Sequence, residues 1–188
     1  MALILTWKSL VIDRLQPKII IEVGSWKGSS AVHMASLLQK KSIEGVVLCV
    51  DTWLGTVNNM LATDPIWGLH AYYQHGYPTL YYQFLANVMH SCLQNYILPL
   101  PTTSTLGARW FTAKGIQADL VYIDGSHEEE DVYQDISNYW KLLKKNGIMI
   151  GDDWHLGGVG IICAVNHFSK ETGLEYQVSG SSWIMQKK

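Results

Sequence analysis

Apolar residues recur along this chain with two different periods. Lys18 to Val23 (KIIIEV) and Gly45 to Val50 (GVVLCV) are near-continuous apolar runs of strand length, whereas Ser29 to Lys40 carries Ala31, Val32, Ala35 and Leu38 on one helical face. Tyr96 to Leu100, Leu120 to Ile123 and Ile148 to Ile150 are three further strand-length runs, with helical periodicity between them. Strands that are apolar on both faces and alternate with helices predict a parallel sheet covered on both sides. After a helix from about Val159 to Lys170, the short runs Leu174 to Val178 and Ser182 to Met185 flank Ser179-Gly180-Ser181, a length that suits a hairpin. The expected fold is therefore α/β and Rossmann-like, a mostly parallel seven-stranded sheet with a C-terminal antiparallel hairpin.

The 188 residues, 48% hydrophobic and 16% charged, read as one domain over 1–188 with a core of ordinary size. A formal charge of −2 and no run of more than two basic residues give no reason to bind nucleic acid or an anionic membrane. Cys49, Cys92 and Cys163 are widely separated and sit in apolar contexts, so they read as reduced packing thiols, and the expected compartment is cytoplasmic. The first residues hold too short an apolar run for a signal peptide, and no stretch approaches a membrane span.

Between Leu54 and Tyr96 the chain is longer than a strand-to-strand crossover requires. Thr79 to Ser91 supplies the crossover helix. The preceding part, an insertion over about 54–78, is polar, punctuated by glycine and rich in aromatics. A lid over a substrate is one use for it, with Trp67, His70 and Tyr72 as contacts and Trp154 as a further one; a homo-oligomer interface is another.

Chemistry concentrates at the ends of strands. Leu120 to Ile123 runs into Asp124-Gly125-Ser126-His127, and Gly147 to Ile150 runs into Asp152-Asp153-Trp154. In a parallel sheet both tips reach the same edge, where α/β proteins bind ligands, so three carboxylates and a histidine meet as a hard-cation site with a base beside it. The duller uses are helix capping by the acidic pair and the ordinary acidic bias of a helix start at Glu128, Glu129, Glu130 and Asp131. The first strand ends in Glu22-Val23-Gly24-Ser25-Trp26-Lys27-Gly28-Ser29-Ser30 and enters a helix directly, a turn suited to close approach of a ligand. Its GxxxG spacing is neither the dinucleotide GxGxxG nor a P-loop. Asp51 lies 27 residues after Gly24, near the offset from which an acid reaches ribose hydroxyls.

Together IIEVGSWKGSS, VDTWLG, YPTLYYQFLANV, LPTTS, DLVYIDGSHEEEDVYQDI and GDDW resemble the class I S-adenosylmethionine-dependent methyltransferases, in particular the macrocin O-methyltransferase and cephalosporin hydroxylase-like family. The resemblance implies that Glu22, Gly24, Trp26 and Ser29 bind the methionine part of S-adenosylmethionine. It further implies that Asp51 holds the ribose with Thr52 and Trp53 beside it, and that Ser104 borders the adenine. Relatives bind Mg²⁺ through acids that fall here on Asp124, Asp152 and Asp153, with His127 as general base and Asp124 facing both cofactor and metal. The implied activity is Mg²⁺-dependent O-methylation of a small molecule such as a sugar or polyol. The chain departs from relatives in its short segment before the first strand, in Asp152 where some carry Glu, and in lacking the lysine base of catechol-type enzymes. A nicotinamide-dependent oxidoreductase and a non-catalytic cofactor-binding homologue are the alternatives.

Overall fold

The computed structural model describes residues 7–188. Its elements are α1 (Trp7–Leu15), β1 (Ile19–Val23), α2 (Ser29–Lys40), β2 (Val46–Asp51), α3 (Val57–Leu61), β3 (Tyr73–Gln74), β4 (Tyr77–Pro78), α4 (Leu80–His90) and β5 (Ile97–Pro101). There follow α5 (Ser104–Ala113), β6 (Ala118–Ile123), α6 (Glu129–Leu142), β7 (Leu143–Gly151), α7 (Val159–Thr172), β8 (Gln177–Ser179) and β9 (Ser182–Gln186).

Seven strands form one sheet in the order β5-β2-β1-β6-β7-β9-β8. The pairs among β5, β2, β1, β6 and β7 are parallel, and β9 runs antiparallel to both β7 and β8. This is the expected sheet with its terminal hairpin. Successive residues of each strand alternate between two apolar layers, as the pleat requires. Ile20, Val47, Cys49, Leu120 and Tyr122 pack under α1, α2 and α4, while Ile21, Leu48, Val50, Val121 and Ile123 pack under α5, α6 and α7. Both faces are dry, which is why the strands read as unbroken apolar runs.

The register aligns the strand tips. Val23 pairs with Val50 and with Ile123, and Ile123 pairs with Gly151. The ladder continues one step beyond each strand: Gly24 N–H donates to the Val50 carbonyl at 2.9 Å, Asp124 N–H to Val23 at 2.8 Å and Asp152 N–H to Ile123 at 3.0 Å. Gly24, Asp124 and Asp152 are thereby fixed as a row along the sheet edge. The chain order reverses between β1 and β6, and a crevice opens at that switch.

The insertion carries more structure than its polar sequence suggests: α3 with a Thr56–Asn59 capping box, a 3-10 turn over Leu69–Tyr72, and the β3–β4 hairpin. Two further differences concern α5, which the apolar pattern does not announce, and β8, which is shorter than Leu174 to Val178 and wholly exposed. Among the described residues no helix is long and apolar enough to cross a membrane.

Candidate active site

A cleft of about 690 Å³ runs along the tips of β1, β2, β5, β6 and β7. Its volume suits a nucleoside-sized ligand. Gly24, Trp26, Ser29, Asp51, Thr52, Ser104, Asp124, His127, Asp152 and Asp153 all reach its wall, as does Trp67 from the insertion.

The loop after β1 is shaped by Asp51. One carboxylate oxygen accepts from the backbone N–H of both Ser25 and Trp26 at 2.8 Å, and the other accepts from Trp53 N–H at 2.7 Å. A single acid at the tip of β2 therefore holds the β1–α2 turn and the backbone two residues beyond itself. Trp26 and Trp53 are forced into left-handed backbone, φ 47° and 53°, which is costly for bulky residues. Gly24, at φ 83°, lies so close under the β6 tip that a side chain would collide with the Asp124 carbonyl and with Gly125. Strain and close approach gather where the ligand is expected.

Five residues expected at the site, Tyr72 among them, stand off from the cleft wall. Glu22 is fully buried below the loop, where one oxygen accepts from Ser25 Oγ at 2.5 Å and Oε1 has no partner; burial raises its carboxyl above the ordinary range. Trp53 turns inward against Tyr81 and Phe84, with ring centroids 4.8 and 4.9 Å away, and its indole N–H donates to the Trp26 carbonyl at 2.8 Å. Trp154 is buried in the layer under α7, beside Tyr176, because the left-handed Asp153 (φ 57°) turns the chain back toward the core. His70 is exposed on the outside of the insertion. Adjacency in sequence to a cleft-facing acid does not bring an aromatic to the cleft when the strand tip reverses direction.

Tyr72 also stays outside the cleft and acts on the insertion itself. Lys27 Nζ donates to the Tyr72 hydroxyl and, at 3.0 Å, to the Ile66 carbonyl. The Trp26 ring stacks on Trp67 at 6.3 Å and meets Tyr72 edge-on at 6.0 Å. The insertion is thus tied to the loop after β1 and walls the cleft on that side.

At the other end of the row the acids converge. Burial raises the Asp124 carboxyl well above its ordinary value, and the neighbouring charges of Asp152, Glu22 and Asp153 add to it. Burial pushes Asp152 the same way, but hydrogen bonds outweigh it and hold it low. Tyr122 OH donates at 2.5 Å, and the hydroxyls of Ser181 and Ser182 donate to the other oxygen at 2.8 and 3.2 Å. His127 Nε2 lies 3.1 Å from Asp153 Oδ2. The acidic pair does not cap α7, whose N-cap is Gly158 with no side-chain bond. Among the described residues no three His, Cys, Asp or Glu side chains stand as a ready-made metal cage, and hydroxyls and His127 engage Asp152 and Asp153. The donor set is nonetheless all carboxylate oxygen, and Mg²⁺ takes only one or two carboxylates with water or substrate oxygens completing its shell.

One acid of the cleft went unassigned in the sequence. Asp135, in the middle of α6, is 5% exposed and lies in the wall near Ser104 and Gly125. Burial pushes its carboxyl up to about 6; a hydrogen bond from Ser104 opposes the rise, and Asp131 adds to it. The folded chain therefore holds this proton up to about pH 6, whereas the unfolded chain releases it near the ordinary 3.8. Between those values the native state binds more protons, so the Asp135 contribution to stability grows as pH falls through 6. Thermal melts should show the protein gaining Tm relative to Asp135→Asn between pH 7.5 and pH 5; parallel curves would refute the assignment.

Comparisons with known proteins bear on the fold and the family. A family model described as a methyltransferase domain matches residues 21–154. No curated protein matches the sequence. Among solved structures, the O-methyltransferase from Bacillus cereus in complex with S-adenosylhomocysteine superposes with a TM-score of 0.67 at 15% identity, covering 97% of this chain and 79% of that one. The O-methyltransferase NovP gives 0.67 at 18% identity, over 95% and 75%. TomG from Streptomyces achromogenes, an O-methyltransferase of tomaymycin synthesis solved with S-adenosylmethionine, gives 0.66 at 12%, over 97% and 78%. At these identities the likeness is one of fold, and the family rests on the sequence match, which spans β1 to the acidic pair after β7: the chain belongs to the methyltransferase-domain family.

Proposed function

We propose that the protein is an S-adenosylmethionine-dependent O-methyltransferase acting, with Mg²⁺, on a hydroxyl of a small molecule such as a sugar or polyol. The observation that carries the reading is a cleft at the β1/β6 switch shared by Asp51 at one side and Asp124, Asp152, Asp153 and His127 at the other. That the structural neighbours include O-methyltransferases solved with the methyl donor or its product supports the cofactor.

In this reading the cofactor's methionine lies on the loop Gly24 to Ser29 and its ribose meets Asp51. When bound, the cofactor would supply an electrophilic methyl group on its sulfonium sulfur, to be taken by the acceptor hydroxyl as the hydroxyl proton passes to a base. His127 would take that proton. Its Nε2 is held by Asp153, which leaves Nδ1 to accept the proton and fixes the ring. Asp124, with Asp152 and Asp153 beside it, would hold the metal, which when bound supplies acidification and orientation of the acceptor oxygens. The insertion, tied through Lys27 and Trp26, keeps water from the cofactor side.

S-adenosylhomocysteine tests the cofactor directly. At one hundred times its Kd, a ligand that binds only the native state stabilises it by about 2.7 kcal/mol, which for a domain of this size raises Tm by roughly 5–10 °C. No shift at millimolar ligand rejects the reading. Released S-adenosylhomocysteine, screened over hydroxylated metabolites with and without Mg²⁺, then identifies the acceptor class. The nicotinamide alternative gains nothing from the structure, because the Gly24–Gly28 turn keeps the wrong glycine spacing.

A further inference from the structure

We propose that Lys8 of α1 is a resident cation of the acidic row, seated so that a divalent ion at Asp124 and Asp152 must compete with its ammonium group; Lys8 thereby sets how tightly the chain holds metal. The assignment rests on the metal part of the reading above.

A second cavity, of about 580 Å³, shares Asp124 and Asp152 with the cleft but is walled by α1 and α2 through Lys8 and His33, with Tyr122 and Ser181 beside them. Lys8 Nζ stands 4.6 Å from the centre of the Tyr122 ring, a cation–π distance, and the hydroxyl of that ring donates to Asp152 at 2.5 Å. One tyrosine thus connects the lysine to the acid. Burial, above all, opposes the ionised forms of Glu22, Asp124 and Asp152, and in each the charge of Lys8 works the other way. His33, in the same wall, adds no second charge at neutral pH, because burial first, then Lys8 and Lys40, hold its pKa below the ordinary value.

Lys8 occupies a position that the helix pattern assigns to an apolar side chain. Lys8, Val11, Ile12 and Leu15 are spaced as one stripe of α1, and the last three pack in the layer under that helix. A lysine kept for solubility belongs on the outward face, where Asp13 and Arg14 are exposed. On the inward stripe an ammonium group is costly to dehydrate unless opposite charge meets it. Two of the acids that meet this one are acids assigned to the metal. The same carboxylates therefore face two cations, and a divalent ion there gains their attraction but works against the repulsion of the lysine beside it.

Mn²⁺ binding, read as loss of the free-ion electron paramagnetic resonance signal, tests this without turnover. Lys8→Met and Lys8→Gln should each bind Mn²⁺ about 10- to 30-fold more tightly than the unaltered protein, the effect of one unit charge on a divalent ion through water over roughly 4–6 Å. Lys8→Arg keeps the charge, and Lys41→Met removes one that is paired with Asp13 at the far end of α2 and screened from the acids; both should stay within about two-fold. Equal affinity of the unaltered protein and the two neutral variants overturns the proposal and leaves the metal reading standing. A gain in Lys8→Arg as large as in Lys8→Met overturns it too, since that reports loosened packing of α1 rather than lost charge. If neither the unaltered protein nor the neutral variants take up Mn²⁺ at millimolar concentration, the metal reading falls with it. Mn²⁺ binding by the neutral variants alone is the expected gain in its extreme form.

Discussion

Replacing Gly24 by alanine should abolish detectable S-adenosylhomocysteine binding and lower Tm by roughly 10 °C. Two costs combine. At φ 83° an L-residue adopts left-handed backbone, worth about 1–2 kcal/mol. In addition, the new methyl group would occupy the position of the Asp124 carbonyl and press on Gly125, backbone that cannot swing aside as a side chain would. Overpacking of this kind costs about 1–3 kcal/mol more. Because Gly24 and Asp124 are ladder neighbours, relief of the clash must part the tips of β1 and β6, the two strands between which the cleft opens. Gly115→Ala separates the terms. Gly115 shares the positive φ, 65°, but has nothing within 4 Å of an added Cβ, so it should show only the conformational cost and normal ligand binding. Equal Tm losses in the two variants, or a Gly24→Ala protein that binds ligand normally, would refute the close-approach argument.

How much of this was legible beforehand depended on whether a residue's neighbours lie near it in sequence. The sheet was readable because β1, β2 and β6 are buried on both faces, so apart from Glu22, Asp51 and Asp119 their side chains are apolar whichever way they point. Helix α5 was not, since Leu106 and Trp110 are exposed while Gly107, Ala108 and Phe111 are buried, and apolar residues fall all round the helix. The hairpin was located, but Leu174 and Tyr176 pack as irregular chain against the α7 layer rather than as part of β8. For the site, strand-end acids could be placed because a parallel sheet delivers all its C-terminal tips to one edge. What could not be read was side-chain direction after the tip: Asp51 turns Trp53 inward, and Asp153 turns Trp154 into the core. Asp135 left a signal that was available. An acid at the position of α6 shared with Val132, Ile136 and Tyr139 breaks the apolar stripe, and a carboxylate on a buried face is more informative than one among Glu128 to Asp131 at the helix start.

The second large effect is expected at Asp124. Asp124→Asn should reduce turnover by on the order of 10²- to 10³-fold, the range for losing one electrostatic partner at a reacting charge, while leaving S-adenosylhomocysteine affinity within a few-fold. The separation follows from position. Asp124 N–H, which the substitution keeps, holds the β1–β6 ladder, whereas only the carboxylate faces Asp152 and Asp153. An amide there removes one of the crowded charges, so the variant should be no less stable than the parent despite its lost activity, a combination that a misfolded protein cannot show. Metal dependence gives the complementary readout. If the three acids hold Mg²⁺, EDTA should silence the unaltered enzyme, excess Mg²⁺ should restore it, and the residual activity of Asp124→Asn should respond to neither. The same series on His127→Gln distinguishes the base from the ligand set: turnover should fall while the Mg²⁺ requirement persists, because the histidine contacts Asp153 and is not itself one of the three acids. EDTA-insensitive turnover in the unaltered protein would remove the metal from the mechanism and leave His127 and Asp153 to activate the acceptor hydroxyl by themselves.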